Sequence, residues 1–119
     1  MIEEQFAAQF AQDWITAWNA HDMDAIMHHY ADNLVFKSPV IVRVNNDLSG
    51  TITSKEALRD YFSRALKIYP DLHFDLYKVF TSINSIVLYY KTINDMTTAE
   101  FMELDEQGKV VKVCAHYSK

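Results

Sequence analysis

Cysteine occurs once, at Cys114, so the chain can form no internal disulfide and must draw its stability from packing. That usage suits a reducing compartment, and a cytoplasmic location is expected. Glycine occurs only twice, at Gly50 and Gly108, which leaves too little for a glycine-rich phosphate cradle. Proline also occurs twice, at Pro39 and Pro70, and no Pro- or Gly-rich linker divides the chain. Residues 1–119 are therefore read as one domain. Basic residues are outnumbered, 11 Lys and Arg against 16 Asp and Glu, for a net charge of −5. Nucleic-acid and membrane-surface partners usually need a basic patch, so neither is expected. No apolar run approaches the roughly 20 residues that span a bilayer. The acidic opening Met1-Ile2-Glu3-Glu4-Gln5 does not read as a secretory signal. Metal-binding spacings such as His-x-His, His-Glu-x-x-His and Cys-x-x-Cys are missing. His28 and His29 are adjacent and would point about 100° apart on a helix. No metal and no cofactor are expected.

Apolar residues, by contrast, make up 50% of the chain, with seven Phe, seven Tyr and two Trp among them. That is enough to build a core and to line a pocket. Residues 2–20 carry a helical stripe, with Phe6, Phe10, Trp14 and Trp18 every four residues. Asp22 is a helix N-cap, and Met23, Ile26, Met27 and Tyr30 fall on one face of a second helix ended by Ala31-Asp32-Asn33. Residues 34–38 read as a short strand that Pro39 ends or leaves at an edge. Residues 40–53 read as a hairpin or loop near the mouth of any pocket. Thr53 and Glu56 fit a capping box for a third helix, which Pro70 stops.

From Asp71 onward the pattern is strand throughout, over roughly 72–79, 86–93, 97–104 and 110–117. The order is helix, helix, strand, helix and four strands. This is an α+β chain in which three helices in the N-terminal half cover one face of a curved antiparallel sheet and enclose a cavity. The far face of the sheet would carry Phe101, Val79, Cys114 and one of Tyr89 and Tyr90. A homodimer through that face is expected.

Glu100 breaks the local logic. It shares a strand face with Thr98 and Met102, while Phe101 points the other way. On an apolar concave wall its carboxyl would lose solvation and become a candidate acid or base. In water it would pair with a cation such as Lys91. His73 has the opposite parity to Leu72, Phe74 and Leu76, and either face could be the inner one. Turned inward it would be a second proton carrier. Tyr30, Tyr61, Tyr69, Tyr117 and Phe36 could present an aromatic pocket with a few hydroxyls, or else fill the cone.

Three segments carry a resemblance. Trp14…Trp18-Asn19-Ala20-His21-Asp22-Met23-Asp24-Ala25-Ile26, Tyr30 through Pro39, and Phe101 through Val110 resemble, in order and spacing, the nuclear transport factor 2-like superfamily in its SnoaL-like and ketosteroid-isomerase-like branch. The resemblance covers essentially the whole chain. It implies a cone-shaped α+β barrel, usually dimeric, with one pocket per subunit. It does not imply one activity. Ketosteroid isomerases use an Asp base with a Tyr and a protonated Asp as oxyanion donors. By the resemblance the base falls on Ser38, the Tyr on Trp14 and the second Asp on Glu100. Serine cannot abstract a carbon-bound proton unaided, so that steroid route is not expected. The resemblance still implies a pocket for a small hydrophobic or polyketide-like ligand, lined by Trp14, Trp18, Tyr30, Phe36, Ser38, Tyr61 and Phe62. Thr98, Met102, Val113, Ala115 and Tyr117 would form its sheet wall. The expected function is ligand binding with cofactor-free isomerase, cyclase or dehydratase chemistry. The rival is a non-catalytic ligand-binding or dimerising module.

Overall fold

A computed structural model describes residues 1–119. Helix α1 spans Glu4–Asn19 and buries Phe10, Trp14 and Trp18 with Ala7, Ala11 and Ala17, while its Gln-rich side stays in solvent. Asp22 caps the short α2, Met23–Met27, by accepting from the Ala25 amide at 3.2 Å. That helix ends one turn early. Tyr30 and Ala31–Asn33 belong instead to strand β1, Tyr30–Lys37.

The segment expected as a hairpin or loop contains a helix. α3 covers Pro39–Val44, and its N-cap is Ser38, whose Oγ accepts from the Val40 amide at 3.2 Å. Its run of Val and Ile favours strand, but Pro39 at the first helical position presets the backbone and Val40 and Ile41 are buried. A four-residue strand β2, Thr51–Ser54, follows and leads directly into α4, Lys55–Ile68. The cap of α4 is Ser54, not Thr53: Ser54 Oγ accepts from the Ala57 amide at 3.1 Å. The remaining strands are β3, Asp75–Thr81, β4, Ser85–Lys91, β5, Thr97–Leu104, and β6, Val110–Ser118.

These six strands form one sheet in the order β2-β1-β6-β5-β4-β3. It is not wholly antiparallel, because β1 pairs with β6 in parallel. Register sorts the side chains. Leu88, Glu100 and Ala115 stand in one cross-strand row, Tyr90, Thr98 and Tyr117 in the next, and Ile86, Met102, Val113 and Phe36 in a third. All three rows face the helices, and most of their members are buried. Val87, Phe101 and Cys114 form a row on the opposite face, flanked by Tyr89, Ala99 and His116. Val79 pairs with Leu88 and so lies on the concave side, not the outer one, and Phe80 is its outward neighbour. No helix is long and apolar enough to cross a membrane.

The β5–β6 turn is built by two residues. Asp105 Oδ1 accepts from the Gln107 and Lys109 amides, both at 2.9 Å. Gly108 takes φ +76°, and a Cβ there would sit 3.0 Å from Phe6 Cζ of α1. Gly108→Ala should therefore destabilise the fold by about 1–2 kcal/mol, read as a lower urea midpoint at unchanged slope. A variant as stable as the parent would show that the turn relaxes freely.

Candidate functional site

Glu100 sits at the middle of β5 between Leu88 and the small Ala115, and only 4% of it is exposed. Tyr90, a diagonal neighbour on β4, donates its hydroxyl to Glu100 Oε1 at 2.6 Å. No lysine or arginine answers the carboxyl; Lys91 pairs with Asp95 at 3.1 Å instead. Oε1 alone carries a protein hydrogen bond, and the residue lines a cavity. Burial pushes the Glu100 pKa from 4.5 up to about 7, against the Tyr90 hydrogen bond, which pulls it down. The Tyr90, Tyr30 and Tyr61 phenols are all raised by burial and by the Glu100 charge. Tyr117 is pushed up to about 12 for the same reasons. These hydroxyls therefore stay protonated around neutral pH and remain donors.

The aromatic wall is held from α1. Trp14 stacks on Phe74 at 5.7 Å between centroids and meets Tyr90 edge-on at 5.4 Å. Its indole Nε1 donates to Tyr30 Oη at 3.1 Å. Trp18 lies edge-on to Phe62 at 4.7 Å. Phe74 is placed by Asn19, just at the end of α1. Asn19 Nδ2 donates to the Phe74 carbonyl at 3.0 Å, and the Phe74 amide donates to Asn19 Oδ1 at 2.7 Å. Two residues on, the His21 ring holds the Leu72 carbonyl at 2.8 Å.

That double clamp decides the parity of residues 72–74. Leu72 and Phe74 turn inward, and His73 turns out, with 63% of its side chain exposed beside Asp75 at 3.3 Å. His73 lies before β3 begins and is not a cavity residue, so a second proton carrier there is ruled out by position. Ser38 is buried, but its hydroxyl caps α3 and lies 3.4 Å from Tyr117 Oη, outside the cavity lining. Trp14, Trp18, Tyr30, Phe36, Tyr61, Phe62, Glu100 and Tyr117 all line the cavity. Thr98, Met102, Val113 and Ala115 share the concave face but are packed behind it. Tyr69, another of the rings read as able to face a pocket, lines it too, and Tyr90, Phe74, Leu72 and Thr92 line it without having been read as pocket residues. For Tyr90 the signal was there: Ile86, Leu88 and Tyr90 alternate, and pairing with Thr98 puts Tyr90 on the face of Glu100.

The cavity is small, about 60 Å³. On a scale where one water needs about 10–15 Å³, it holds only a few waters. The rings fill most of the cone, and a larger guest requires some of them to move. Tyr69, Leu72, Thr92 and Ile93 line both the cavity and a surface groove beside it. Of residues 40–53, expected near the mouth, only Val40 reaches the cavity. No cluster of three His, Cys, Asp or Glu is gathered anywhere.

Burial of Glu100 has a measurable signature. Its folded pKa lies above its unfolded value, so the native state holds the proton longer. Its contribution to stability is intact below pH 4.5, falls as pH rises to about 7, and is level above that. The loss amounts to about 3 kcal/mol. Urea unfolding at pH 5 and pH 8 should show that decline in the parent and not in Glu100→Gln, which should be the more stable of the two at pH 8.

Residues 11–118 match the SnoaL-like domain family. A SnoaL-like protein of unknown function from Burkholderia thailandensis is 38% identical, with 99% of this chain and 98% of that one covered at a TM-score of 0.95. The epoxide hydrolase/cyclase-like enzyme SalBIII, with a role in pyran ring formation in the polyether salinomycin, is 16% identical over 99% of this chain and 95% of its own, at a TM-score of 0.73. A protein of ketosteroid isomerase-like fold from Catenulispora acidiphila, in complex with trimethylamine, is 12% identical over 91% and 84%, at a TM-score of 0.70. A search of curated proteins finds no match. The curved sheet closed by helices is the cone fold of nuclear transport factor 2-like proteins, and the chain belongs to the SnoaL-like domain family.

Proposed function

We propose that this protein binds a small, largely apolar cyclic or polyketide-like molecule in the aromatic cone and performs cofactor-free proton transfer on it. The supporting observation is the pairing of Glu100 and Tyr90. The carboxyl is buried among rings, has no cation, makes one hydrogen bond and titrates near neutrality. A group with that pKa takes and returns a proton with little penalty at physiological pH. Isomerisation, cyclisation and dehydration each need such a shuttle. Likeness to an enzyme associated with pyran ring formation fits this reading but supports only the fold. An isomerase route through a base at position 38 is not part of the proposal, since the Ser38 hydroxyl is engaged as a helix cap.

The filled cone favours a second reading, a binding module without turnover, because about 60 Å³ leaves little room for a substrate to react. Thermal-shift screening of small cyclic ketones and lactones separates the two. Under the first reading a stabilising compound is also converted, and Glu100→Gln loses 10²–10⁴-fold of the rate while still binding. Full turnover in Glu100→Gln would end the catalytic assignment. Tyr90→Phe removes the hydrogen bond that lowers the Glu100 pKa, so the acidic limb of the pH–rate profile should move to higher pH.

The convex sheet face completes the proposal. Tyr77, Phe80 and Tyr89 are 53%, 47% and 38% exposed there, beside Phe101 and Cys114. A second copy packed on this face would cover them. Light scattering behind size exclusion should report a two-chain mass. A one-chain mass at micromolar concentration would remove the dimer from the proposal.

A further inference from the structure

The one buried carboxyl of the molecule has no counter-charge. Glu100 is 4% exposed and lines the cavity, its Oε1 accepts from Tyr90 at 2.6 Å, and its Oε2 has no protein partner. No lysine, arginine or histidine lines the cavity with it. The other titratable groups there are phenols: Tyr30 of β1, Tyr61 and Tyr69 of α4 and its end, Tyr90 of β4 and Tyr117 of β6. α1 brings Trp14 and Trp18, which carry no charge, and Arg43 of α3 bears on Tyr117 but lies outside the lining. A carboxylate stripped of water and left unpaired is costly, and a cation from outside would relieve that cost.

The walls fit a cation of one kind. Ten of the sixteen lining residues are Phe, Tyr or Trp. Trp18 and Phe62 meet at 76°, and Phe36 and Phe62 at 79°, so the rings form crossed walls rather than a flat stack. Ring faces attract positive charge, most strongly where water is excluded. A metal ion would need about six oxygen ligands, which a ring-lined cavity with one carboxylate does not supply. A primary ammonium has three N–H donors to satisfy against that one carboxylate. A tertiary or quaternary ammonium has one or none, and its carbon groups pack on rings. A cavity of about 60 Å³ takes a compact head of this kind rather than an extended one.

We infer that the cavity receives a compact organic cation, a tertiary or quaternary ammonium on a largely apolar ligand, with its charge set between the Glu100 carboxylate and the surrounding rings. This rests on the ligand-cavity reading above and narrows its ligand class, but it does not require turnover.

Tetramethylammonium and tert-butanol are suitable probes, alike in shape and different in charge. Tetramethylammonium has no proton to lose, so any pH dependence of its binding belongs to the protein. Trp14 and Trp18, the only tryptophans, report occupancy through their indole N–H signals in NMR titrations. Ionic strength is held constant with sodium chloride, which screens the exposed acids equally throughout. At pH 8 the cation should bind about tenfold more tightly than the alcohol. Its affinity should fall about tenfold from pH 8 to pH 6, as a carboxyl titrating at about 7 takes up its proton, while that of the alcohol stays level. Glu100→Gln keeps the shape and should remove both the preference and its pH dependence, with the alcohol still bound. The inference is overturned if the cation binds no more tightly than the alcohol at pH 8, if Glu100→Gln retains the preference, or if neither probe moves the indole signals. Turnover keeps the two readings apart. A ketone or lactone converted by the parent and not by Glu100→Gln, with no cation preference, leaves proton transfer standing and ends this assignment. A cation preference lost in Glu100→Gln, with full turnover in that variant, does the reverse.

Discussion

Strand register is the constraint on which everything in the cone depends. Side chains alternate faces along a strand, so a one-residue slip between β5 and β6 would carry Glu100 to the convex face and bring Phe101 inside. The turn prevents it. Asp105 gathers two amides with one carboxylate oxygen, Gly108 adopts a backbone angle that other residues resist, and Phe6 closes over the place where a Cβ would be. With that turn set, Leu88, Glu100 and Ala115 fall in one row, and the row beside it delivers Tyr90 to the carboxyl.

Placing a carboxyl in that row then fixes the electrostatic character of the cavity. An ionised carboxylate with no cation is costly among rings, and the structure lowers the cost with a single phenol. The consequence runs outward. Burial, and after it the same negative charge, raises the pKa of Tyr30, Tyr61 and Tyr117, whose hydroxyls are donors at neutral pH. The wall is therefore apolar in its bulk, donating at several points and accepting at one.

Much of this was readable from residue spacing, and the exceptions have physical causes. α1 and α4 follow from 3.6-residue periodicity, and the β5–β6 hairpin from its turn chemistry. Glu100 could be placed on a face because Thr98 and Met102 flank it two residues away on either side, while Phe101 points the other way. His73 could not, because its direction is set by Asn19 and His21, more than fifty residues earlier in the chain. α3 was misread because Val and Ile favour strands locally, while the cap and burial that override them are tertiary. β2 is only four residues long and gains its identity by pairing with β1. Val79 was assigned outward for lack of a register against Leu88. The Ser38 hydroxyl, at the position the family resemblance gives to a base, is spent on holding a helix end.

The parallel contact between β1 and β6 has a consequence for how the molecule comes into being. Tyr30 lies opposite Val110, and Phe36 opposite Val113, so the two strands of this seam are separated by about two-thirds of the chain's length. Closing so long a loop costs entropy before any contact repays it, and contacts of this range slow folding. During synthesis, β1 has no partner on that side until the last strand has emerged. Until then the sheet wall beside Tyr30, Leu34 and Phe36 is incomplete, and Glu100 lacks its neighbour Ala115. The cavity therefore depends on β6, which joins β1 to the rest of the sheet and completes the wall around Glu100.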